Sequence, residues 1–243
     1  MLTNARGWFQ RFTIGLVVAA GICLVGGLLM VMQAQTGGRD EQPAAQAARA
    51  PKVLFLGDSL TAGLYAVTPE DSFRALVAKQ LDVSPVLVSS SGGRTRDFLP
   101  SARAITAEAA DVVVVELGTN DCSGYSSFVP VDQDVFAANL RTLAQAARAG
   151  NPACRFVSIT VWQAAPARGP YDARIREVAE SYGAPVVDIS SIKDDPADCK
   201  PAGVATFWGV SDGWHPNNAG HAAIAALLAP VLAAVLSAPN DPR

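Results

Sequence analysis

Short apolar runs alternate with helix-like segments over most of the chain, from about residue 53 to residue 236. Each run is too apolar for a half-exposed strand and has the composition of a parallel strand covered on both faces. Such alternation predicts an open, three-layer α/β/α sandwich. The predicted strands are residues 53–56, 85–89, 112–116, 156–160 and 185–188. The predicted helices are residues 71–81, 96–109, 132–149, 170–182 and 218–236.

The loops that leave the carboxyl ends of these strands are where such sheets collect their chemistry. In the first loop, "GDSLT", Asp58 or Ser59 is suited to be an ordinary helix N-cap, and Ser59 is also placed to be a nucleophile. In the second, "SSSGGRT", Gly92 and Gly93 permit close approach of a ligand to the backbone. In the third, "GTND", Asn120 can offer its amide to an anion or cap a turn.

The chain has only two histidines, and they differ in context. His221 falls inside the last predicted helix, where a packing role is expected. His215 lies in a loop rich in Gly and Pro, three residues after Asp212. That spacing lets the Asp212 carboxylate reach the imidazole Nδ1–H and fix its tautomer, as a serine hydrolase requires. Ser59, His215 and Asp212 are therefore the predicted catalytic residues.

At these residues the sequence resembles the SGNH-hydrolase superfamily, also called the GDSL esterase/lipase family. The matching stretches are "FLGDSLTAG", "SSGGRT", "ELGTND" and "SDGWHPNNAGH". The resemblance implies a flavodoxin-like sheet of five parallel strands and acyl transfer through a Ser59 ester. It also implies an oxyanion hole made by the N–H groups of Ser59 and Gly93 and the amide of Asn120, with Gly93 chosen over Gly92 from its spacing to Thr95. The mechanism implied needs no metal and no other cofactor.

The N-terminal region predicts export. Residues 13–32 contain no charged side chain and are numerous enough to span a bilayer, and Arg6 and Arg11 precede them. We therefore expect a cytoplasmic N-terminus at 1–12, a single transmembrane anchor at 13–33, a flexible linker at 34–51, the hydrolase domain at 52–237 and a tail at 238–243. The catalytic domain would then be extracytoplasmic. A signal segment that is cleaved to release a secreted protein is the alternative.

The composition of the chain limits the kinds of molecule that it is expected to bind. The formal net charge is −3, and no cluster of Lys and Arg is interleaved with aromatics, which argues against nucleic-acid binding. Neither the His nor the Cys residues have zinc-ligand spacing, so no metal is expected. Aromatic residues beside the predicted catalytic loops are candidates for substrate binding, with core packing or loop anchoring as the alternative. They are Tyr125, Phe128, Phe207, Trp208 and Trp214.

Three cysteines follow the predicted anchor, and an exported protein can form disulfides. Cys154 precedes the fourth predicted strand, at the amino edge of the sheet. Cys122 and Cys199 both follow strands and are expected at the active-site edge, so a Cys122–Cys199 disulfide is predicted.

Three functions remain open at this point. The first is a serine esterase or lipase that acts on small acyl esters, lipids or O-acylated sugars. The second is an O-acyltransferase that uses the same serine to modify a cell-envelope sugar or lipid. The third is a non-catalytic binding domain, against which the intact set of Ser, His and Asp argues. The sequence does not predict an oligomeric state.

Overall fold

A computed structural model describes residues 49–122, 129–199 and 201–239. The described residues all belong to one compact unit, Ala47–Arg243. The predicted anchor at 13–33 and most of the predicted linker lie outside the described residues. So do the end of the predicted tail and the aromatic residues Tyr125 and Phe128.

Five parallel strands form the central sheet in the order β2-β1-β3-β4-β5. The strands are β1 Lys52–Gly57, β2 Ser84–Ser89, β3 Val112–Glu116, β4 Arg155–Ile159 and β5 Val186–Val187. This is the flavodoxin-like order, and it confirms the predicted fold class. The strand order reverses between β1 and β3, which are neighbours, with Gly57 paired to Glu116 at their carboxyl ends. Parallel sheets of this kind bind ligands at that edge.

Seven α-helices are present among the described residues. They are α1 Ser59–Ala62, α2 Phe73–Leu81, α3 Ala102–Glu108, α4 Gln133–Gly150, α5 Ala165–Ser181, α6 Ser190–Asp194 and α7 Asn218–Ser237. The predicted helix at 96–109 is divided into a 3-10 segment, Thr95–Ser101, and α3, because Pro100 cannot donate a backbone hydrogen bond. Helix α5 begins five residues before the predicted start, and Pro166, not Pro170, occupies its first turn.

The core lies on both faces of the sheet, as the apolar strands require. In β1, Val53 and Phe55 face one layer while Leu54 and Leu56 face the other, and all four are buried. Helices α2 and α7 cover the first face, and α3, α4 and α5 cover the second. The carboxyl edge of the sheet is left to the loops, which is where the candidate active site lies.

Helix α7 is long and apolar enough to cross a membrane by length and composition, and it alone meets that test in the part of the chain that the structure describes. Its Leu228 and Leu232 are completely buried in the core beside the sheet. His221, in its first turns, is also completely buried. We therefore assign α7 to the core of the domain.

A small hairpin that the sequence did not predict precedes the His215 loop. Its strands, β6 Ala205–Thr206 and β7 Gly209–Val210, pair in antiparallel register. The Phe207 N–H donates to the Val67 carbonyl at 2.9 Å, which ties the hairpin tip to the loop after α1. Phe207 and Trp208 at the tip are 61% and 47% exposed.

Candidate active site

The turn from β1 into α1 places Ser59 at the first position of a short helix. Asp58 is the N-cap, and its carboxylate accepts a hydrogen bond from the Leu60 N–H at 3.1 Å. The capping role and the nucleophile role therefore fall to different residues. Gly57 is required for this turn, because a Cβ there would lie 2.0 Å from Thr61 Oγ1 and 2.5 Å from the Glu116 carbonyl oxygen.

The structure brings the three predicted catalytic residues into one hydrogen-bonded chain. Ser59 Oγ lies 3.0 Å from His215 Nε2, and His215 Nδ1 lies 2.7 Å from Asp212 Oδ2. Asp212 Oδ1 also accepts the backbone N–H groups of His215, at 3.0 Å, and Trp214, at 2.9 Å. In this network the Nδ1–H of His215 donates to Asp212, so Nε2 carries no hydrogen and can accept the Ser59 proton. It is the geometry of a serine nucleophile, a general base and an orienting carboxylate.

Burial affects the pKa values of the residues in this hydrogen-bonded set. Ser59 and His215 are only 4% and 8% exposed. Burial lowers the pKa of His215, and the hydrogen bond to Asp212 offsets part of that effect. Burial would raise the pKa of Asp212, but its hydrogen bonds from the His215 and Trp214 backbone and from the imidazole lower it overall. At neutral pH, therefore, the site has a neutral base beside an ionised carboxylate.

Two aromatic rings hold the imidazole of His215 edge to face. The ring centre of Trp214 lies 4.7 Å from that of His215, and the ring centre of Tyr65 lies 5.3 Å from it. Tyr65 has a φ of 63°, a left-handed backbone that is uncommon for a bulky side chain. Nothing in the sequence around Tyr65 indicated this role, because the contact joins parts of the chain that are far apart.

Trp162, which follows β4, anchors the His215 loop and was also missed by the sequence reasoning. Its side chain is completely buried, and its Nε1–H donates to the Trp214 carbonyl at 2.9 Å. The ammonium group of Lys193 lies 5.4 Å from the Trp162 ring centre and 5.3 Å from that of Trp214. That distance allows a cation–π interaction with both rings. The positive charge of Lys193 also lowers the pKa of His215, after the effect of burial.

Gly93 and Asn120, the other predicted oxyanion donors, lie beside the nucleophile turn. The Asn120 amide donates to Asp58 Oδ2 at 3.0 Å and to the Gly93 carbonyl at 3.1 Å. The Gly93 N–H donates to the Ser90 carbonyl at 2.9 Å, within a turn. The Ser59 N–H, at the first position of α1, has no intrahelical acceptor. The structure thus brings the three donors together, and in this state the Gly93 and Asn120 groups donate to protein oxygens.

Asp121 connects the loop after β3, to which it belongs, with the loop after β2. It is completely buried, and its carboxylate accepts hydrogen bonds from Thr95 Oγ1, at 2.7 Å, and from the Thr95 N–H. Asn139 of α4 in turn donates to Thr95 Oγ1 at 3.1 Å. These bonds fix the loop that carries Gly93 relative to the loop that carries Asn120.

His221 has the packing role that the sequence predicted. Its ring stacks on Phe73 with ring centres 6.1 Å apart, and it hydrogen-bonds to the Leu64 carbonyl at 3.2 Å. Burial lowers its pKa to about 4, so it is neutral over the physiological range.

The predicted Cys122–Cys199 disulfide is wrong for this structure, in which Cys122, Cys154 and Cys199 are free thiols. Cys122 packs in the core layer with Leu117 and Phe136, whereas Cys199 packs in the layer on the opposite face of the sheet. Both residues follow strands, as the sequence suggested, but the sheet lies between their side chains.

No cluster of three or more His, Cys, Asp or Glu side chains within the described ranges has the arrangement of a metal site. A cavity of about 280 Å³ lies at the amino edge of the sheet, away from Ser59, and is lined in part by Arg49, Asp111 and Arg155. Arg49 and Asp111 pair there through two 2.8 Å hydrogen bonds. The hydrogen bonds between Ser59, His215 and Asp212 lie at the carboxyl edge, so the candidate active site is placed there and not at this cavity.

Comparison with known proteins identifies the family of the chain. Residues 55–223 match the GDSL-like Lipase/Acylhydrolase family, and this range contains Ser59, Asn120, Asp212 and His215. The chain belongs to that family. Membership places the protein among ester hydrolases that use a serine, and it confirms the resemblance that the four sequence stretches indicated. No curated protein matched the chain closely in sequence.

Solved structures similar to this hydrolase confirm the fold. The psychrotrophic esterase EstA from Pseudoalteromonas sp. is 19% identical with a TM-score of 0.60, over 77% of this chain and 99% of its own. A carbohydrate esterase family 2 enzyme with a carbohydrate-binding domain, from Corynascus thermopiles (Myceliophthora fergusii), is 20% identical with a TM-score of 0.61, over 79% and 68%. The acetyl xylan esterase AlAXEase is 21% identical with a TM-score of 0.57, over 73% and 97%.

Proposed function

We propose that this protein hydrolyses acyl esters through an ester on Ser59, with His215 as general base and Asp212 as its orienting carboxylate. The observation that carries this proposal is the unbroken chain of hydrogen bonds from Ser59 Oγ through the imidazole to Asp212, at 3.0 and 2.7 Å.

In the first step, His215 Nε2 takes the Ser59 proton while Oγ attacks the ester carbonyl carbon. The carbonyl oxygen becomes an oxyanion, for which the donors in reach are the Ser59 N–H, the Gly93 N–H and the Asn120 amide. Gly93 must then exchange the Ser90 carbonyl for the oxyanion, and Asn120 must exchange the Gly93 carbonyl for it while its second N–H stays on Asp58. His215 next protonates the leaving alcohol, and the acyl-serine remains.

In the second step, the neutral imidazole takes a proton from water, which attacks the acyl carbonyl. Collapse of the second oxyanion releases the acid and returns the proton to Ser59. The lowered pKa of His215 suits this cycle, because the base must be neutral at the start of each step.

The main test is mutation of the two central residues. Ser59→Ala and His215→Ala should each lower ester turnover by about 10³-fold or more, with circular dichroism and melting temperature close to wild type. A fluorophosphonate probe should label wild type at Ser59 alone and should not label Ser59→Ala. Unchanged turnover of p-nitrophenyl acetate by Ser59→Ala would refute the proposed mechanism.

We also propose small acyl esters as substrates, with O-acylated sugars among them. Phe207 and Trp208 are exposed at the hairpin tip that immediately precedes the Asp212 loop, and Trp214 borders the imidazole. Two structural neighbours are, by their names, a carbohydrate esterase and an acetyl xylan esterase. Trp208→Ala should raise KM for acetylated xylan and leave p-nitrophenyl acetate turnover unchanged. An equal effect on both substrates would place Trp208 in a structural role.

The remaining alternative is transfer of the acyl group to a sugar or lipid alcohol. Incubation of the protein with an activated ester, with and without glycerol or a chito-oligosaccharide, should give free acid as the main product in both cases. Acylated acceptor as the main product, with little turnover in its absence, would favour the acyltransferase.

Finally, we propose that the domain is held on the outer side of a membrane by residues 13–33. The support is the uncharged stretch at 13–32, which follows Arg6 and Arg11. Protease added to intact cells should remove the catalytic domain from the membrane fraction. A soluble protein whose N-terminus lies near Thr36 would show cleavage and secretion instead.

A further inference from the structure

Two carboxyl side chains lie together beneath the nucleophile turn, and the mechanism above uses neither as a catalyst. Asp58 follows β1 and Glu116 ends β3, and their exposed fractions are 0% and 1%. Gly57, the residue before Asp58, is paired with Glu116 across β1 and β3, so the two carboxyl groups lie at adjoining strand ends, close enough for a side-chain hydrogen bond that affects the pKa of each. Because two carboxylates have no hydrogen to share, such a bond requires a proton on one of them.

The surrounding donors show which carboxyl carries the charge. Asp58 Oδ1 accepts from the Leu60 N–H at 3.1 Å, and its Oδ2 accepts from the Asn120 amide at 3.0 Å. The Ser59 hydroxyl lies 3.4 Å from Oδ1, but its one hydrogen belongs to the shorter bond with His215. Each oxygen of Asp58 therefore has a donor, which favours an ionised Asp58.

The hydrogen-bond donors to Glu116 that the side chain and backbone of Thr61 supply converge on one of its two oxygens. Its Oε2 accepts from Thr61 Oγ1 at 2.9 Å and from the Thr61 N–H at 3.3 Å. Its Oε1 is buried without a donor partner among the described atoms. No Lys or Arg in the described part of the chain forms an ion pair with either carboxyl group, so a cation does not neutralise the pair. Because both oxygens of Asp58 accept hydrogen bonds and one oxygen of Glu116 accepts none from the residues that the structure describes, the proton of the pair is expected on Glu116.

We propose that Glu116 is a protonated positioning residue, whose carboxyl proton is donated to Asp58 and fixes the Asp58 carboxylate. Through Asp58 this proton orients the Ser59 turn on one side and the Asn120 amide on the other. The nucleophile and an oxyanion donor are thereby aligned by one shared proton, although Glu116 itself touches neither substrate nor reacting atoms.

The electrostatics of the pair agree with the geometry. Burial raises the pKa of Glu116 well above its ordinary value, and the charge on Asp58 raises it further. Burial raises the pKa of Asp58 to about 7, against the effect of the Leu60 N–H. With Glu116 protonated as proposed, the pair holds one proton beside the ionised Asp58, and loss of that proton would leave two buried anions in contact.

Other titratable or charged groups surround the pair. Asp121 and Cys122 belong to the loop after β3, and the charge on Asp121 raises the pKa of Asp58. His215 lies across Ser59, and Arg74 of α2 donates to the Thr61 carbonyl at 3.0 Å. Because these groups also titrate or carry charge, the test must compare variants and not rest on the pH profile of wild type alone.

The uptake of protons on folding gives the direction in which stability should change with pH. In the unfolded chain both carboxyl groups lose their protons near pH 4, whereas the folded pair keeps at least one at neutral pH and above. Folding therefore takes up protons, and the free energy of unfolding falls as the pH rises from about 5 to the folded pKa of Glu116. Glu116→Gln cannot titrate, but its amide still has an N–H for Asp58 and an oxygen for Thr61. This variant should take up at least one proton fewer on folding.

The experiment compares wild type, Glu116→Gln and the control Glu180→Gln, whose side chain is exposed on α5. The free energy of unfolding is measured by urea denaturation at several pH values between 5 and 9. The slope of the free energy of unfolding against pH should be less negative in Glu116→Gln, by at least the amount that one bound proton contributes. The slope for Glu180→Gln should equal that of wild type. In steady-state kinetics, with uncatalysed hydrolysis subtracted, kcat of wild type and Glu180→Gln should fall at alkaline pH. In Glu116→Gln that fall should be absent or displaced upward, without a change in KM.

A measurement on wild type covers the case in which Glu116→Gln does not fold. Infrared difference spectra of native wild type at pH 8 should show the carbonyl stretch of a protonated carboxyl, and no such band should remain after unfolding. Absence of that band, or equal pH slopes for both variants and wild type, would overturn the proposal. The kinetic readout rests on the proposed esterase activity, but the infrared and stability readouts do not. A Ser59→Ala variant with full activity would therefore refute the function and leave the proton assignment standing.

Discussion

The side-chain amide of Asn120 donates a hydrogen bond to Asp58 Oδ2 at 3.0 Å, so a candidate oxyanion donor is attached to the residue that caps the nucleophile helix. The same amide donates to the Gly93 carbonyl at 3.1 Å. The loops after β1, β2 and β3 thus meet at one nitrogen atom. The position of this amide depends on all three loops, and a change in any of them should alter transition-state stabilisation.

Asn120→Ala should lower kcat by about 10²- to 10³-fold and leave KM nearly unchanged, because an oxyanion contact is strongest in the transition state. Steady-state kinetics on a p-nitrophenyl ester is the measurement. Asn151→Ala is the matched control, since Asn151 donates to the Ala110 carbonyl at the opposite edge of the sheet and should not affect kcat. A rise in KM with kcat intact would instead make Asn120 a residue that binds the ground state of the substrate.

The pH below which kcat/KM falls should depend on Lys193. Activity requires neutral His215, whose pKa is lowered by burial and, to a smaller extent, by the positive charge of Lys193. Lys193→Met removes that charge, so the pKa of His215 should rise and activity should be lost at a higher pH than in wild type. Lys79→Met, a change at an exposed position on α2, should titrate like wild type. A downward shift of this pH in Lys193→Met would contradict this assignment.

Gly57→Ala should destabilise the fold, because the new Cβ would lie 2.0 Å from Thr61 Oγ1 and 2.5 Å from the Glu116 carbonyl oxygen. Overpacking of this kind costs about 1–3 kcal/mol. Urea denaturation should therefore show a lower midpoint for Gly57→Ala. Gly169→Ala in α5, where a Cβ meets nothing within 4 Å, should show a midpoint equal to or above that of wild type.

The three described thiols should be unreactive in the native protein. They are buried, and burial raises the pKa of Cys122 to about 12 and that of Cys154 to about 11, so little reactive thiolate forms at neutral pH. Reaction with Ellman's reagent should be slow until the protein is unfolded, and a reductant should leave the melting temperature unchanged. Non-reduced peptide mapping that links Cys122 to Cys199 would restore the disulfide and contradict the structure.

Several parts of the fold could be predicted from the sequence because the determining pattern is local. The apolar runs that became β1, β3 and β4 are continuous and bounded by polar loops, and their predicted bounds are within one residue of the observed ones. The hydrogen-bonded arrangement of Ser59, His215 and Asp212 could also be expected, because Asp212 and His215 are three residues apart and Ser59 lies in the loop that leaves a buried strand.

Other features depend on contacts between distant segments, which periodicity does not report. Strand β5 has two residues and the hairpin strands have two each, too short for a pattern. Trp162, Tyr65 and Glu116 owe their roles to loops that are remote in sequence. The Cys122–Cys199 prediction failed for the same reason, since sharing an edge of the sheet does not determine the face on which a side chain lies.

The separation of 156 residues between Ser59 and His215 has a consequence for the biosynthesis of the enzyme. A ribosome releases the proposed nucleophile early and the proposed base late, and α7, which packs in one core layer, emerges after both. A nascent chain that ends before residue 215 therefore carries a serine without a base. Because Ser59 must wait for His215 to emerge and reach the carboxyl edge of the sheet, acyl-ester chemistry begins only after most of the domain has been synthesised.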